Sequence, residues 1–249
     1  DLVGIDTGEK VTNFVRDNVQ NDTFFEALKG KEDPNFMSFL VDNQFFGNKS
    51  GKGFYERTKK KDDKGRTIVN VLNLDTLTYA QTTRPKLPIV KEAKAIDLMS
   101  KRFAFLISGE GREHQFLRHY FASLLSYTAE RVPEIADEVF LVDDAMRAGY
   151  VWDYGPFEYW DLLGVAVGID LIESCGWLVP KWVKEMQSKG IDQFYKFENG
   201  TKKCYSLSSQ SFEPVKSAEG LIILDSYRGQ TPIIKNSEGT VHVIGDGVM

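Results

Sequence analysis

The sequence contains little cysteine, no long apolar run and no excess of positive charge. Its two cysteines, Cys175 and Cys204, are too few for a disulfide framework and too far apart for a metal-binding pair. The longest apolar run, 162–169, has eight residues, two of them glycine, whereas a membrane-spanning helix needs about 20. We therefore expect reduced thiols, a cytoplasmic location and no membrane span.

The charge of the chain also limits the choice of partner. It is -5 at pH 7, with an isoelectric point near 5.4, so the chain has no general attraction for polyanions. We expect no nucleic acid partner. A length of 249 residues with 42% apolar and 27% charged side chains is typical of a globular protein with room for two domains.

Common catalytic motifs are missing as well. The sequence has no GxSxG, HExxH or GxGxxG motif and no Cys/His pair. Two of its three histidines, His114 and His119, are five residues apart, or about 140° around a helix, so they cannot share a metal. We expect them and His242 to face solvent or to have hydrogen-bond partners in the protein, and we expect no metal site.

What the sequence does contain is an internal repeat. Residues 1–5 read DLVGI and residues 161–165 read DLLGV, and apolar residues at helical spacing follow each of them. An aromatic pair comes later in each copy, in GFYER at 53–57 and in QFYKF at 193–197. The matching order predicts a duplication. Because residue 1 is not Met and GPFEYW precedes only the second copy, we expect the first copy to be cut short.

The first copy mixes helical and extended patterns. Asp6 and Glu9 are placed as a capping box, and Pro85 and Pro88 indicate a linker at about 82–92. Periodicity predicts four further elements, which are helices at about 8–20 and 34–44, an exposed turn at 59–64 and a strand or extended segment at 68–80.

The second copy is more helical. A helix is predicted over about 110–131, and Pro133 is expected to start the next one, which runs to about 148. Further helices are expected after GPFEYW and from Pro180. Short β runs are expected after about residue 200, at 221–227, 231–236 and 241–245. The predicted apolar face of the first of these helices consists of Phe116, Leu117, Tyr120, Phe121, Leu124, Leu125 and Thr128.

An acidic cluster lies in the predicted helix that follows Pro133. Carboxylates grouped in this way could hold a metal or act in acid–base catalysis. Because they fall on the polar side of the predicted helix, we expect a solvated face instead. The cluster consists of Asp137, Glu138, Asp143 and Asp144.

The segment FGNKSGKGFYER at 46–57 invites three interpretations, a phosphate-binding loop, an RNA-binding strip and a tight turn. Its glycine spacing is too short for GxxxxGK[ST], and Tyr55 stands where the RNA-binding octamer needs Gly or Ala. We expect its glycines to supply turn conformations while Phe54 and Tyr55 anchor the chain to a core. Lys49 and Lys52 are candidates for an anionic ligand.

Three stretches together resemble the C-terminal domains of 3-hydroxyacyl-CoA dehydrogenases. They read DLVGIDT, NQFFGNKSGKGFYER and AERVPEIADEVFLVDDAMRAGYVWDYGPFEYWDLLGV, and the resemblance covers about 1–197 in two tandem copies. The final VHVIGDGVM is similar to the start of the enoyl-CoA hydratase (crotonase) domain in fused dehydrogenase–hydratase polypeptides.

The resemblance implies a mainly α fold. Its two tandem helical domains would resemble the C-terminal domain of 6-phosphogluconate dehydrogenase, with a β-rich C-terminal extension. The implied domains are 1–92, N-terminally truncated and ending in an extended linker, 93–199, and 200–249, a connector towards the crotonase domain. The two helical copies would pair within one chain as a pseudo-dimer.

The resemblance also implies a role in fatty-acid β-oxidation, in which NAD takes a hydride from the 3-hydroxy carbon of an acyl-CoA. In that family the cofactor loop and the catalytic His–Glu pair belong to a Rossmann domain, so no catalytic residue is assigned here and the chain is expected to be inactive alone. Its helical part would complete the acyl-CoA cleft and carry the dimer contact. The expected substrate-binding residues are Asn48, Lys49, Gly51 and Lys52. The alternative is a helical protein-interaction module that binds no acyl-CoA.

Overall fold

The computed structural model describes residues 1–26, 35–82, 85–198, 201–216, 231–236 and 239–244. The chain divides into two compact units, unit 1 from Asp1 to Lys86 and unit 2 from Leu87 to Met249. Far more of the described residues lie in helices than in strands, which confirms a mainly α chain. No described helix is long and apolar enough to cross a membrane.

Unit 1 combines short helices with an antiparallel sheet. Its helices are α1 (Ile5–Asn18), α2 (Thr23–Glu26) and α3 (Asn35–Asp42), and its strands are β1 (Tyr55–Lys61), β2 (Thr67–Leu72) and β3 (Tyr79–Gln81), in the order β1-β2-β3. Ile5, Leu40 and Leu72 form its buried core. Partly buried aromatic rings of Phe39, Phe45, Phe54 and Tyr79 surround that core.

Two side chains close the turns of this sheet. The Asp62 carboxylate accepts the backbone N–H groups of Lys64 and Arg66 at 2.9 Å each, and Asn73 Oδ1 accepts those of Asp75 and Thr76. Such side-chain contacts favour a reversal of the chain, and backbone hydrogen bonds from Asp62 to Arg66 and from Asn73 to Thr78 close the same turns. They explain why the segment predicted as one extended run at 68–80 forms two strands.

Three predictions for unit 1 are wrong in detail. The charge run 59–64 is not wholly a turn, because β1 extends to Lys61 and pairs with Thr67. No side chain caps α1, which begins after Gly4 at a φ of 111°. The linker predicted at 82–92 ends in the first helix of unit 2, α4 (Pro88–Lys94). Pro88 fits there because the first turn of a helix needs no N–H donor.

Unit 2 is a helical assembly with a small sheet. One antiparallel sheet has the order β4-β5-β6, and β7 and β8 form a separate pair. The elements are α4 (Pro88–Lys94), α5 (Met99–Ser108), α6 (Arg112–Ile135), α7 (Val139–Tyr150), α8 (Pro156–Leu163), α9 (Val165–Ser174), α10 (Lys181–Ser188), β4 (Tyr195–Glu198), β5 (Thr201–Ser206), β6 (Ser211–Pro214), β7 (Ile234–Lys235) and β8 (Thr240–Val241).

The expected boundary at 199/200 falls between β4 and β5. These strands pair from Tyr195–Cys204 to Glu198–Thr201, so 201–214 continues the sheet of unit 2. The β run expected at 231–236 is described as the short strand β7, and the one at 241–245 coincides in part with β8. The run expected at 221–227 lies outside the described residues.

The helix α6 differs from its prediction in two ways. Pro133 lies inside it instead of starting the next helix. The N–H that proline lacks would bond to the carbonyl of Ala129, and the indole Nε1 of Trp182 donates to that oxygen instead, at 3.0 Å. Phe116 and Tyr120 are exposed. The buried residues of α6 are Ala122, Leu125, Ser126, Thr128, Ala129 and Val132.

Large aromatic side chains fill the core of unit 2. Phe157, Trp160 and Phe194 are fully buried. The centroid of the Phe194 ring lies 5.0 Å from that of Phe157 and 5.2 Å from that of Trp160. The Trp160 indole donates to the carbonyl of Val165 at 3.1 Å. A Cβ on Gly168 would overlap this indole. The packing therefore requires glycine at position 168.

We predict opposite effects for alanine at the two repeat-equivalent positions 8 and 168. Gly168→Ala should lower the free energy of unfolding by about 2 kcal/mol or more, because the methyl group overpacks the core. Gly8→Ala should raise it by about 0.5–1 kcal/mol, because the site is open and alanine favours a helix. Urea unfolding followed by circular dichroism measures both. Equal losses for the two variants would contradict the packing described for Trp160.

Candidate functional site

The glycines of the 46–57 segment bring its loop against the backbone of Asp1. Gly47 has a φ of 98° and Gly51 a φ of 75°, which glycine adopts without strain. A Cβ on Gly47 would overlap the backbone of Asp1, and one on Gly53 would overlap its carboxylate. The backbone N–H of Asn48 donates to the carbonyl of Asp1 at 3.0 Å. The interpretation of this loop as a glycine-shaped turn is thereby confirmed.

The Asp1 carboxylate binds the start of the first strand. It accepts the backbone N–H groups of Phe54 and Tyr55, both at 3.0 Å. The Phe54 ring packs against the core of unit 1. The side chain of Tyr55 is 54% exposed, so the prediction that it anchors the chain to a core is wrong. Its backbone N–H makes the contact instead.

The four expected substrate-binding residues lie in this loop in different environments. Asn48, Lys49 and Gly51 are exposed, whereas Lys52 is partly buried. The ammonium of Lys52 lies 3.0 Å from Glu56 and over the rings of Phe45 and Tyr79. Its charge therefore already has protein partners.

Lys49 is the more accessible of the two lysines. Its ammonium lies 2.5 Å from the Asp6 carboxylate, and this hydrogen bond lowers the pKa of Asp6. An exposed ion pair of this kind is weak, so Lys49 can exchange Asp6 for an anionic group of a ligand.

A groove of about 620 Å³ opens beside the loop. Of the four expected residues, Asn48 alone lines it. The groove combines apolar surface with the Tyr55 ring and the Arg57 guanidinium. Its lining residues are Asp1, Leu2, Val3, Gly4, Ile5, Asn48, Tyr55, Arg57 and Val69.

The same carboxylate arrangement occurs in unit 2. Asp161 accepts the backbone N–H groups of Phe194 and Tyr195, at 2.7 and 2.8 Å. In unit 1 the carbonyl of Phe46 accepts the N–H of Ile5, and the glycine-rich loop occupies the residues between Phe46 and Phe54. In unit 2 the corresponding acceptor, Asp192, stands two residues before Phe194. The glycine loop of unit 1 has no counterpart there.

Asp143 was expected on a solvated face of its helix, and that prediction is wrong. Asp143 has no exposed surface. It accepts the backbone N–H groups of Phe157 and Glu158, at 3.0 and 3.2 Å, and the Tyr195 hydroxyl at 2.7 Å. Its spacing of four residues from the buried Val139 is the sequence signal that places it on the inner face of α7. Asp137 and Asp144 are exposed, as expected.

Charged side chains surround this buried contact. Glu158 accepts hydrogen bonds from Arg147, from Lys202 Nζ at 2.8 Å and from the backbone N–H of Gly155 at 3.0 Å. Burial raises the pKa of Asp143 and of Asp161 to about 7. Burial also raises the pKa of Tyr195 well above its usual value, so its hydroxyl stays a donor. A carboxylate enclosed by protein donors in this way holds structure and has no access to a substrate.

The histidines and cysteines add no site in the described part of the chain. His114 Nδ1 lies 2.9 Å from the carbonyl of Leu106, as expected for a histidine with a protein partner. No group of three potential metal ligands occurs among the described residues. Both cysteines are free thiols, and burial raises the pKa of Cys204 to about 12, which makes this thiol inert.

Comparison with known proteins identifies relatives over the whole chain. All 249 residues align with a Bacillus subtilis (strain 168) protein named "Probable 3-hydroxyacyl-CoA dehydrogenase", at 33% identity and covering 30% of that protein. This chain is homologous to a protein named as a probable 3-hydroxyacyl-CoA dehydrogenase. The resemblance inferred from its motifs is confirmed.

Two further homologues are named "Putative fatty acid oxidation complex trifunctional enzyme". The one from Rickettsia prowazekii (strain Madrid E) is 26% identical over 62% of this chain and 20% of its own length. The one from Rickettsia felis (strain ATCC VR-1525 / URRWXCal2) is 24% identical over 48% of this chain and 15% of its own length. No protein-family model and no solved structure matches the chain. The 249-residue chain therefore spans less than a third of the length of each of these three relatives.

The carboxyl groups of Asp143 and Asp161 predict a pH dependence of stability. Their pKa is about 7 in the folded chain and about 3.9 when unfolded. Between these values the folded state binds more protons, so the free energy of unfolding should fall as pH rises from about 4 to about 7 and level off above. Each group contributes a slope of up to about 1.4 kcal/mol per pH unit.

Urea unfolding at several values between pH 5 and pH 8 measures this slope. Asp143→Asn should remove the share of one group, because the amide has the same shape and does not titrate. Asp170→Asn, at an exposed position of α9, is the matched control and should keep the slope of the unmodified chain. A slope that is unchanged in Asp143→Asn would refute the assignment.

Proposed function

We propose that this chain is the helical, substrate-side part of an NAD-dependent 3-hydroxyacyl-CoA dehydrogenase of fatty-acid β-oxidation. The observation that carries the proposal is the identity of 33% along all 249 residues with a protein of that name, of which they make up 30%. NAD would be bound by a Rossmann domain elsewhere in the parent polypeptide. The trifunctional relatives favour a parent that also carries an enoyl-CoA hydratase domain.

The geometry favours a structural role for this part of the parent protein over a catalytic one. Burial raises the pKa of Asp143, Asp161 and Tyr195, and all three groups hold helices to neighbouring elements through hydrogen bonds. Proton transfer to a substrate requires a group within hydrogen-bond reach of it. We infer that the catalytic groups belong to the Rossmann domain of the parent.

The proposed architecture is two tandem helical copies of the 6-phosphogluconate dehydrogenase C-terminal type. Its support is the repeated aspartate contact, Asp1 with Phe54 and Tyr55 and Asp161 with Phe194 and Tyr195. The proposed pseudo-dimer of the two copies follows from the sequence repeat. Sedimentation showing an obligate homodimer formed through the first copy would refute it.

An assay of the isolated chain tests the proposed division of labour. With acetoacetyl-CoA and NADH, the 249-residue chain should give no oxidation of NADH above background, whereas the parent protein should turn over. Absorbance at the NADH maximum measures both samples at equal concentration. Oxidation of NADH by the isolated chain, or no oxidation by the parent, would contradict the proposal.

We further propose that the loop at 47–53 approaches the CoA part of the substrate through Asn48 and Lys49. Gly51 shapes that loop, and Lys52 supports it through Glu56.

In the parent, Lys49→Ala should raise the KM for acetoacetyl-CoA by about 3- to 10-fold, equivalent to about 1 kcal/mol, with kcat within about twofold. Steady-state kinetics of the parent measures both constants. Lys59→Ala, an exposed lysine of β1, is the control and should change neither. The alternative, an interaction module that binds no acyl-CoA, predicts an unchanged KM for both variants.

A further inference from the structure

We propose that unit 2 contains a binding site for the hydrocarbon chain of an amphiphilic anion, a fatty acid or its CoA thioester, in a groove between α4, α5 and α6. The groove measures about 720 Å³, within the range of about 300–1,000 Å³ that is typical of small-molecule sites. It lies in unit 2, and none of the residues proposed to approach CoA in the loop at 47–53 lines it. The proposal therefore adds a separate site and does not depend on the proposed function.

Three helices supply the apolar walls of this groove. Ile89 and Ala93 of α4 stand four residues apart on one helical face, and both are buried. Leu106 of α5 and Leu117 of α6 line the groove too and are half-buried. Phe116 of α6 is 69% exposed. A hydrocarbon chain in the groove would remove this aliphatic and aromatic surface from water.

The lining also restricts the chemistry of the buried part of the ligand. Among the described residues that line the groove, no side chain is polar and uncharged. A ligand with hydroxyl or amide groups along its length would leave those groups without hydrogen-bond partners, which is costly in an apolar site. The groove therefore favours a plain hydrocarbon chain over a sugar, a nucleoside or a peptide.

The charged side chains of the groove favour an anionic head group. Lys94, Arg102 and Arg112 supply three cations against the single carboxylate of Glu113, although the chain as a whole has a charge of -5. In the part of the chain that the structure describes, none of these cations forms an ion pair. Arg102 Nε donates to the carbonyl of Ile96 at 2.8 Å. This bond positions the guanidinium and leaves its terminal N–H groups for an anion.

A chain with one anionic end matches both features of the groove. The stems of lysine and arginine cover apolar surface while their charged ends reach water, so the head group would lie at the mouth and the chain along the apolar walls. A carboxylate or a phosphate suits these cations equally well. The competing occupant is an acidic amphipathic helix of the parent polypeptide, which would fill the groove permanently.

Titration calorimetry of the 249-residue chain with octanoate, decanoate and dodecanoate, each below its critical micelle concentration, tests the site. Because each CH₂ group adds apolar contact, the Kd should fall about fourfold for each added CH₂ group. Dodecyltrimethylammonium, which has the same chain and a cationic head, should bind about fivefold more weakly than dodecanoate, or weaker still.

Matched variants locate the binding. Val90→Trp, at an exposed residue that lines the groove, should fill it and weaken dodecanoate binding about tenfold or more. Val167→Trp is the control, at an equally exposed valine of α9 outside the groove, and should leave the Kd unchanged. Arg112→Ala should weaken binding about two- to fivefold, and Lys91→Ala, at an exposed position of α4 outside the groove, should not.

The two sources of the chain are distinguished by comparing dodecanoate with dodecanoyl-CoA, with free CoA as the blank. Tighter binding of dodecanoate would assign a free fatty acid, and tighter binding of dodecanoyl-CoA that Val90→Trp weakens would assign the thioester. No binding of either, a Kd independent of chain length, or equal losses in Val90→Trp and Val167→Trp would overturn the proposal.

The same dodecanoate titration of the parent protein tests the competing occupant. Binding that Val90→Trp weakens in the parent as well would support the ligand site. Binding by the isolated chain that is absent from the parent would identify the groove as an internal contact and overturn the proposal. No NADH is present in these titrations, so their outcome is independent of whether the parent is a dehydrogenase.

Discussion

An aspartate that binds two successive backbone N–H groups is the contact on which both units depend. In each unit it stands at the entry to a helix and accepts the first N–H groups of a strand. A carboxyl group satisfies two such donors at once, and a typical hydrogen bond contributes about 0.5–1.5 kcal/mol to stability. The contact fixes where the helix meets the sheet. The aromatic residue just before the strand, Phe54 or Phe194, is thereby directed into the core.

Unit 2 extends this contact into a connected set. The Tyr195 hydroxyl reaches Asp143 of α7, and Asp143 in turn binds the N-terminus of α8. A carboxylate at that position compensates both the unpaired N–H groups and the helix dipole. Helix α8 then places Phe157 and Trp160 against Phe194. The aromatic core of unit 2 therefore follows from polar contacts made at its edge.

The glycine-rich loop of unit 1 has a structural origin first. Gly47 and Gly53 are required by the close approach of Asp1, whose backbone and carboxylate occupy the space of their missing side chains, and Gly51 is required by its φ of 75°. A ligand role for the loop depends on Asn48 and Lys49, which the glycines present at the surface. The motif that first resembles a phosphate loop therefore owes its glycines to the close packing of Asp1.

Local sequence patterns predicted much of this fold and missed what depends on distant partners. The helical content and the glycine turn follow from periodicity and spacing, and the family resemblance was carried by short motifs. Pro133 was misplaced because its helix is completed by Trp182, whose indole takes over the carbonyl of Ala129. Asp143 was misjudged because its partner, Tyr195, lies 52 residues away. Of the four expected site residues, Asn48 alone lines the groove beside the loop. Lys52 lies instead over the rings of Phe45 and Tyr79, a contact that no spacing rule reveals.

Amide hydrogen exchange of the 249-residue chain tests the central claim most directly. The account predicts strongly slowed exchange at Phe54, Tyr55, Phe194 and Tyr195, whose N–H groups donate to the two aspartates, compared with the exposed Lys59 nearby. Replacing Asp161 by alanine should speed exchange at Phe194 and Tyr195 while Phe54 and Tyr55 stay protected. Exchange at all four amides as fast as in an unfolded chain would contradict the account.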